Sequence, residues 1–307
     1  MRAKLKNNSI ARSKYLFVYG LLAYPLLNFI IFYVIVNFNS ILLAFQNTDT
    51  ETFKSVWVGL DNFKQIAVEL VQTKNLLSYI EHSILFWVLG TLIGMPLNIL
   101  FGYLFLVKIK GTPFIRFCIM IPSIISGLVT AMLFSKFAEN AMPVLFDQWF
   151  DIQTISLLRD ERYNLGTILV YTLLTGFSYN IIIYMNAMKG NSESLFEVAR
   201  LEGATHLQTL WYVCFPSVYT IMTTFIVTSV PGILAGDPGL YLFYEYNAPE
   251  SVMTSGYYIF IKTKNNNGAL IDYSYAAAMG LMFTLFSFPL TLFVRWFMDK
   301  VDPNREM

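Results

Sequence analysis

Residues 190–216 read Gly-Asn-Ser-Glu-Ser-Leu-Phe-Glu-Val-Ala-Arg-Leu-Glu-Gly-Ala-Thr-His-Leu-Gln-Thr-Leu-Trp-Tyr-Val-Cys-Phe-Pro, the longest plainly amphipathic segment in a chain made mostly of apolar runs. Ser194 followed three residues on by Glu197 has the form of a capping box, so the spacing predicts a helix opening there. Leu195, Val198 and Ala199 then make an i, i+3, i+4 stripe. Gly203 is placed to end that helix, because glycine takes the positive φ of a C-terminal cap without strain. A second helix carrying Leu207, Leu210 and Trp211 is expected to run to Pro216, where a new apolar run opens. Two short helices about a glycine, set between apolar spans, suit docking onto something outside a membrane.

Working outward, the composition gives that membrane. Apolar residues make up 56% of the chain and charged residues 13%, with a mean hydropathy of +0.53. Soluble domains carry about 25% charged residues, so the chain reads as an all-α polytopic membrane protein. A net charge of +1 gives no reason to expect nucleic acid. Cys118 and Cys214 both fall in or beside predicted spans, which argues against a disulfide framework. His82 and His206 have no Cys or carboxylate cluster at ligand spacing, so no metal site is expected. No Gly-x-x-x-x-Gly-Lys-Ser/Thr occurs, so the chain has no P-loop with which to bind ATP. The first apolar run is too long for a signal peptide and lacks an Ala-x-Ala exit, so no cleavable leader is expected.

Six spans can be read. Residues 1–14 form a basic tail with Arg2, Lys4, Lys6, Arg12 and Lys14 and no acid. Residues 15–37 are the first span, the run from Tyr15 to Val36 being long enough to cross a hydrocarbon core of about 30 Å. Residues 38–80 are an outer loop, too small to hold an extra folded module. Residues 81–298 form the core, with five further spans at roughly 83–107, 114–136, 164–188, 215–236 and 274–297 and the loop 189–216 between the fourth and fifth. Residues 299–307 are a second tail. With both termini inside, 13 of the 21 Lys and Arg and only 6 of the 20 acids fall on the inner side. That asymmetry obeys the positive-inside rule and puts the 190–216 loop in the cytoplasm.

Within the spans, Gly90, Gly94, Pro96 and Gly102 of the second, and Pro122, Ser126 and Gly127 of the third, serve either as close-packing surfaces or as places where helices bend. Residues 137–163 set Trp149 and Phe150 among Asp147, Asp151, Asp160 and Glu161, as an interfacial amphipathic stretch does. Asn180 and Tyr184 are i, i+4 neighbours and share a helix face. They form either part of a solute pathway or an interhelical hydrogen bond. Thr220, Thr224 and Thr228 keep the same period on the fifth span; they either line a pathway or bond back to their own helix. Deep charges are nearly absent, which argues against an ion-coupled carrier. Aromatic and hydroxyl-rich walls without charge favour a neutral, hydroxylated solute.

The motifs also resemble a known family. Glu197-Val198-Ala199, Gly203 and Pro216 stand at the spacing of the EAA loop, Glu-Ala-Ala-x-x-x-Gly with a downstream Pro, in membrane subunits of binding-protein-dependent ABC importers. Val198 in place of the middle Ala is the one departure in the triplet. Val58-Gly-Leu-Asp-Asn-Phe63, the passage from Gly176 through Asn180 to Tyr184, and Tyr273-Ser-Tyr275-Ala-Ala-Ala-Met-Gly280 are similar to steps in the carbohydrate-uptake group that handles maltose, glycerol phosphate and oligosaccharides. Where that group often has Asn-Thr or Asn-Ser, this chain has His82-Ser83. The resemblance implies a type I ABC importer transmembrane domain in a bacterial plasma (inner) membrane, moving a sugar or oligosaccharide. It implies a second, related permease subunit in a heterodimer, two ABC ATPase subunits that bind ATP and Mg, and an extracytoplasmic solute-binding protein. Glu197, Val198, Ala199, Glu202, Gly203, Ala204 and Pro216 are then the ATPase-coupling residues, with a small Ala199 permitting close approach to the ATPase. Asn180, Tyr184, Thr220, Thr224 and Thr228 are the candidate solute pathway, and the chain itself is no enzyme. The alternatives are an ABC permease for a non-sugar solute, an ion-coupled carrier, which would need a buried ionisable pair, and a membrane enzyme, which would need a His/Glu or Ser/Lys cluster.

Overall fold

The computed structural model describes residues 15–304 apart from 16, 49–54, 73, 152, 192 and 265–272. The basic tail 1–14, Arg305 and the side chains of residues 177–179 thus lie outside the described set. The chain divides into two compact units, Met1–Ile66 with Asp272–Leu281, and Ala67–Ile271 with Met282–Met307.

The first unit holds the apolar helix α1 (Phe17–Leu43) and a small antiparallel pair, β1 (Gln46–Thr48) and β2 (Ser55–Trp57). Val58–Phe63 closes this hairpin. Gly59 turns at φ +61, Phe45 stacks on Trp57, and the buried Asn62 amide donates to the carbonyls of Ala44 and Gln46 at 3.0 and 2.9 Å. This family-like step is thus a turn with aromatic anchors, and Asn62 supplies its polar pin.

Helix α2 (Asp61–Gln72) starts in the first unit and ends in the second, which begins at Ala67. The second unit continues with α3 (Asn75–Val107), α4 (Thr112–Ile124), α5 (Gly127–Phe150), α6 (Asn164–Lys189), α7 (Glu193–Leu201) and α8 (His206–Ser229). Short helices α9 (Gly232–Ala235), α10 (Leu240–Tyr244) and α11 (Ser255–Lys264) lead to α12 (Tyr273–Lys300). Among the described residues four helices are long and apolar enough to cross a membrane, or six if two bent pairs each count as one span. The spans differ from their sequence limits in informative ways. The second starts eight residues early, at Asn75. The third is not one helix: Ile125 and Ser126 are extended after Pro122 and the halves meet at 98°. The fifth starts at His206, so the expected second loop helix is simply its first turns.

Proline explains part of this. Pi-helical turns at Gly90–Gly94, Phe137–Ala141 and Leu210–Cys214 each end two residues before a proline, Pro96, Pro143 or Pro216. Proline has no N–H to donate and its ring clashes with the carbonyl four residues back. Widening the preceding turn by one residue re-pairs the ladder and lets the helix continue through lipid.

Two apolar clusters sit towards opposite ends of α3 and α6. One joins Phe86, Ile168, Leu240, Val252 and Tyr257; the other joins Ile99, Tyr103, Tyr184, Met188, Cys214 and Val218. Beside the first, His82 Nδ1 meets the Met253 carbonyl at 3.0 Å. Ser83 Oγ accepts from the Ser255 N–H at 2.9 Å, and Ser255 Oγ donates to the Leu234 carbonyl at 2.7 Å. The departure His82-Ser83 is therefore the polar seam that holds α11 against α3. Outside the spans, Asp160 takes the Arg162 guanidinium at 2.7 Å, and these bonds hold its carboxyl down at about 2. Burial raises the carboxyl of Asp237 against the pull of the N–H groups of Leu240, Tyr241 and Gly239.

The seam leaves no room at Gly256, where an added Cβ would lie 2.5 Å from the carbonyl oxygens of both Ala235 and Gly236. Gly256→Ala is expected to destabilise the protein by about 1–3 kcal/mol through overpacking against backbone, read as a lowered thermal unfolding midpoint in detergent.

Candidate functional site

The 190–216 loop is built as two helix ends facing each other. α7 opens at Glu193, one residue before Ser194, so Ser194 lies inside the helix and not at its cap. The capping box that closes belongs to α8. Thr205 Oγ1 accepts from the Gln208 N–H at 3.3 Å, and Gln208 Oε1 accepts from the Thr205 N–H at 2.8 Å. At the other end, Gly203 has φ +74. Its N–H donates to Arg200 O at 3.1 Å, and the Ala204 N–H reaches back to Ala199 O at 2.9 Å. These two bonds are the 5→2 and 6→1 pair of a Schellman cap. Any residue with a Cβ would pay about 1–2 kcal/mol for that backbone.

The two faces of α7 point in different directions. Phe196 is half-buried and packs on the cluster of Ile99, Tyr103, Tyr184, Met188, Cys214 and Val218. Ala199 is buried as well. Its small size is therefore used in packing on this chain's own bundle. Leu195, Val198 and Leu201 are 50, 54 and 87% exposed, and Glu197, Glu202 and Gly203 are exposed beside them. The stripe Leu195, Val198, Ala199 thus does not share one environment.

Polar ties fix the loop at both ends. The Asn191 amide donates to Val213 O at 3.1 Å and meets Ser217 Oγ at 3.2 Å. Tyr103 OH lies 3.3 Å from His206 Nδ1. Pro216 O accepts from Asn304 Nδ2 at 2.9 Å, and Tyr219 OH donates to Met298 O at 2.8 Å, so the start of α8 is bound to the end of α12.

The cluster that seats Phe196 also forms the wall of a cavity. A space of about 380 Å³ is lined by the pi turn Gly90–Gly94 and by Asn98, Asn180, Tyr184, Phe225 and Thr228, among others. Among the described residues no Asp, Glu, Lys, Arg or His lines it. Asn180 and Tyr184 do share this wall, with the Tyr184 ring edge-on to Phe225 at 5.7 Å. Thr228 joins them, whereas Thr220 and Thr224 line a neighbouring space. Thr224 and Thr228 also back-bond, donating to the carbonyls of Thr220 and Thr224 at 2.9 and 2.8 Å. Sequence reasoning missed Asn98, which is 4% exposed with an Oδ1 that has no partner among the described residues. The signal was there: an amide in an apolar run demands a partner or a purpose.

Long apolar helices around a cavity, with a loop helix packed against the same cluster as the cavity wall, suit an integral-membrane transport subunit. The model of the family "Binding-protein-dependent transport system inner membrane component" matches residues 90–306, and the chain belongs to that family. It is thus a multi-pass protein of the bacterial inner membrane, a component of a multi-subunit ABC system and not an enzyme. It is 25% identical over 225 residues to the multiple sugar-binding transport system permease protein MsmF of Streptococcus mutans, covering 69% of this chain and 73% of that one. To the arabinooligosaccharides transport system permease protein AraP of Halalkalibacterium halodurans it is 23% identical over 285 residues, covering 89% and 85%. The fold is that of a bacterial ABC transporter involved in the import of the acidic polysaccharide alginate, with a TM-score of 0.77 at 19% identity over 94% of this chain and 97% of that one.

A buried amide oxygen left without a partner costs about 1–3 kcal/mol. Asn98→Leu is therefore expected to raise the thermal unfolding midpoint while lowering transport, a combination that a purely structural asparagine would not give.

Proposed function

We propose that this chain is the permease subunit of an ATP-driven importer that translocates a sugar or oligosaccharide delivered by an extracytoplasmic binding protein. The observation that carries this reading is that Phe196 of the loop packs against the buried cluster that contains Tyr184 of the cavity. The named relatives serve sugars, and the uncharged, hydroxyl- and amide-bearing cavity suits the same class of solute. In the alginate system a pentasaccharide-bound periplasmic protein forms a complex with the transporter, which supports a binding protein here too.

In this reading both termini and the loop are cytoplasmic. The chain pairs with a second, related permease, and two ATPase subunits that bind ATP and Mg complete the system. The outward face of α7, with Glu197, Val198, Glu202 and Gly203, seats in an ATPase cleft, while Ala199, Ala204 and Pro216 hold the loop's shape. Closure of the ATPase pair on ATP moves α7 as a rigid body. Phe196 carries that motion to α3, α6 and α8, and the cavity changes the side to which it opens. The ATPase partners supply the nucleotide chemistry; this chain moves and binds.

The test is reconstitution with candidate ATPase subunits, partner permease and binding protein, with uptake and ATP hydrolysis measured together. Solute uptake by this chain alone would overturn the reading. Gly203→Asp is expected to uncouple transport from hydrolysis by ten-fold or more while the protein still inserts, since the Schellman cap positions the docking face; unchanged uptake would count against the docking role.

A further inference from the structure

The turn from α3 to α4 carries Lys108 and Lys110, with Arg116 in the first turns of α4, and no Asp or Glu occurs between Glu81 and Glu139. Lys108, Ile109 and Lys110 are exposed. None of the three cations forms an ion pair among the described residues. The turn is held in shape by Thr112, which donates to the Ile109 carbonyl from its N–H at 2.9 Å and from Oγ1 at 2.6 Å, and by Gly111 at φ +89. Lys108 itself is left-handed, at φ 56 and ψ 49, as the C-cap of α3, a place where glycine is favoured. A lysine there accepts backbone strain and sets a cation at the end of the span.

Directly after this turn, α4 has an open apolar stripe. Phe114, Phe117, Ile121 and Ile124 follow an i, i+3, i+7, i+10 spacing and so share one helix face, and they are 72, 62, 37 and 74% exposed. From Phe114 to Ile124 the helix rises about 15 Å, half of a hydrocarbon core of about 30 Å, which is the depth of one leaflet. The stripe then stops, because Ile125 and Ser126 are extended and α5 leaves at 98°. The positive-inside bias explains the sign of the turn. It requires neither a lysine in left-handed backbone nor an open stripe of this length beside it.

We propose that the 108–111 turn, Arg116 and the α4 stripe form a site for an anionic phospholipid, its phosphate at the cations and an acyl chain along Phe114, Phe117, Ile121 and Ile124. In the orientation of the proposed reading the turn lies at the cytoplasmic leaflet, the one whose surface potential is negative. A phosphodiester headgroup brings the counter-charge that no described side chain brings, and its oxygens accept from lysine and arginine. An acidic protein segment would meet the same cations but make no use of the stripe; the lipid uses both. A zwitterionic lipid covers the stripe equally well, yet its own cation cancels the attraction to the turn. The site therefore sorts lipids by the net charge of the headgroup.

The experiment takes the full chain with its partner subunits in detergent, adds phosphatidylglycerol and phosphatidylcholine in equal amounts, and measures the retained lipid by native mass spectrometry. Phosphatidylglycerol is expected to be enriched. Its retention is expected to fall about ten-fold in the double variant Lys108→Gln, Lys110→Gln, which loses two cations close to an anionic headgroup, and to be kept in Lys108→Arg, Lys110→Arg. Equal retention of the two lipids by the unaltered chain, or unchanged enrichment in the glutamine variant, overturns the proposal. A photoreactive benzoylphenylalanine in place of Phe117, in liposomes of the same two lipids, tests the stripe. Crosslinks to lipid are expected there; crosslinks to a protein subunit in their place overturn the lipid as occupant. Neither readout involves a solute or ATP, so the outcome is separate from that of the sugar-import reading.

Discussion

The packing of Phe196 against the buried cluster that contains Tyr184 is the interaction on which the rest depends. Close-packed interiors transmit displacement because they have few alternative arrangements and little compressibility. A loop helix held only by solvent-exposed polar contacts would yield when pushed. α7 instead has an apolar side chain among Ile99, Tyr103, Met188 and Val218, residues of α3, α6 and α8. Its C-terminal cap and the N-terminal box of α8 fix the turn between them, and Asn191 ties the first strand of the loop to the last. The loop is in effect an external lever cut from the same block as the cavity wall.

Much of this was legible in the sequence. The apolar runs gave the four long apolar helices, Gly203 was recognisable as a left-handed cap, and the i, i+4 relation of Asn180 and Tyr184 put both on the cavity wall. What failed did so for identifiable reasons. Periodicity groups apolar positions but cannot say which of them packs on the bundle; hence Ala199 turned inward and Val198 outward. Two Ser/Thr-x-x-Glu/Gln patterns lay close together, and only the one preceded by a left-handed glycine became a cap. Pro216 looked like the end of a helix, but a pi turn before it let the helix pass. Asn98 was hidden because a single amide in an apolar run carries no periodic signal at all.

The pi turns connect that last point with function. A wide turn is a poor way to build a helix, and its hydrogen bonds are tolerated because leaving a carbonyl unpaired in hydrocarbon is worse. Of the three, Gly90–Gly94 lines the cavity directly and Leu210–Cys214 lies under the loop. Proline therefore places the least regular backbone of α3 and α8 beside the two sites that must change shape, while the same helices stay continuous elsewhere.

Among the described residues the cavity wall carries no Asp, Glu, Lys, Arg or His. A carrier driven by an ion gradient binds its driving ion near the solute, so the coupling is local. The described wall offers amides, hydroxyls and rings, none of them a carboxylate or cation, and in the proposed reading the free energy that reorients it arrives through the loop. A ligand or nucleotide can shift a two-state equilibrium only by its differential affinity for the two states. That difference has to be generated where the partner binds and conveyed without loss over the intervening structure. In the proposed reading the exposed face of α7 is where it is generated, and Phe196, packed against the cluster that contains Tyr184, is the route by which it is conveyed.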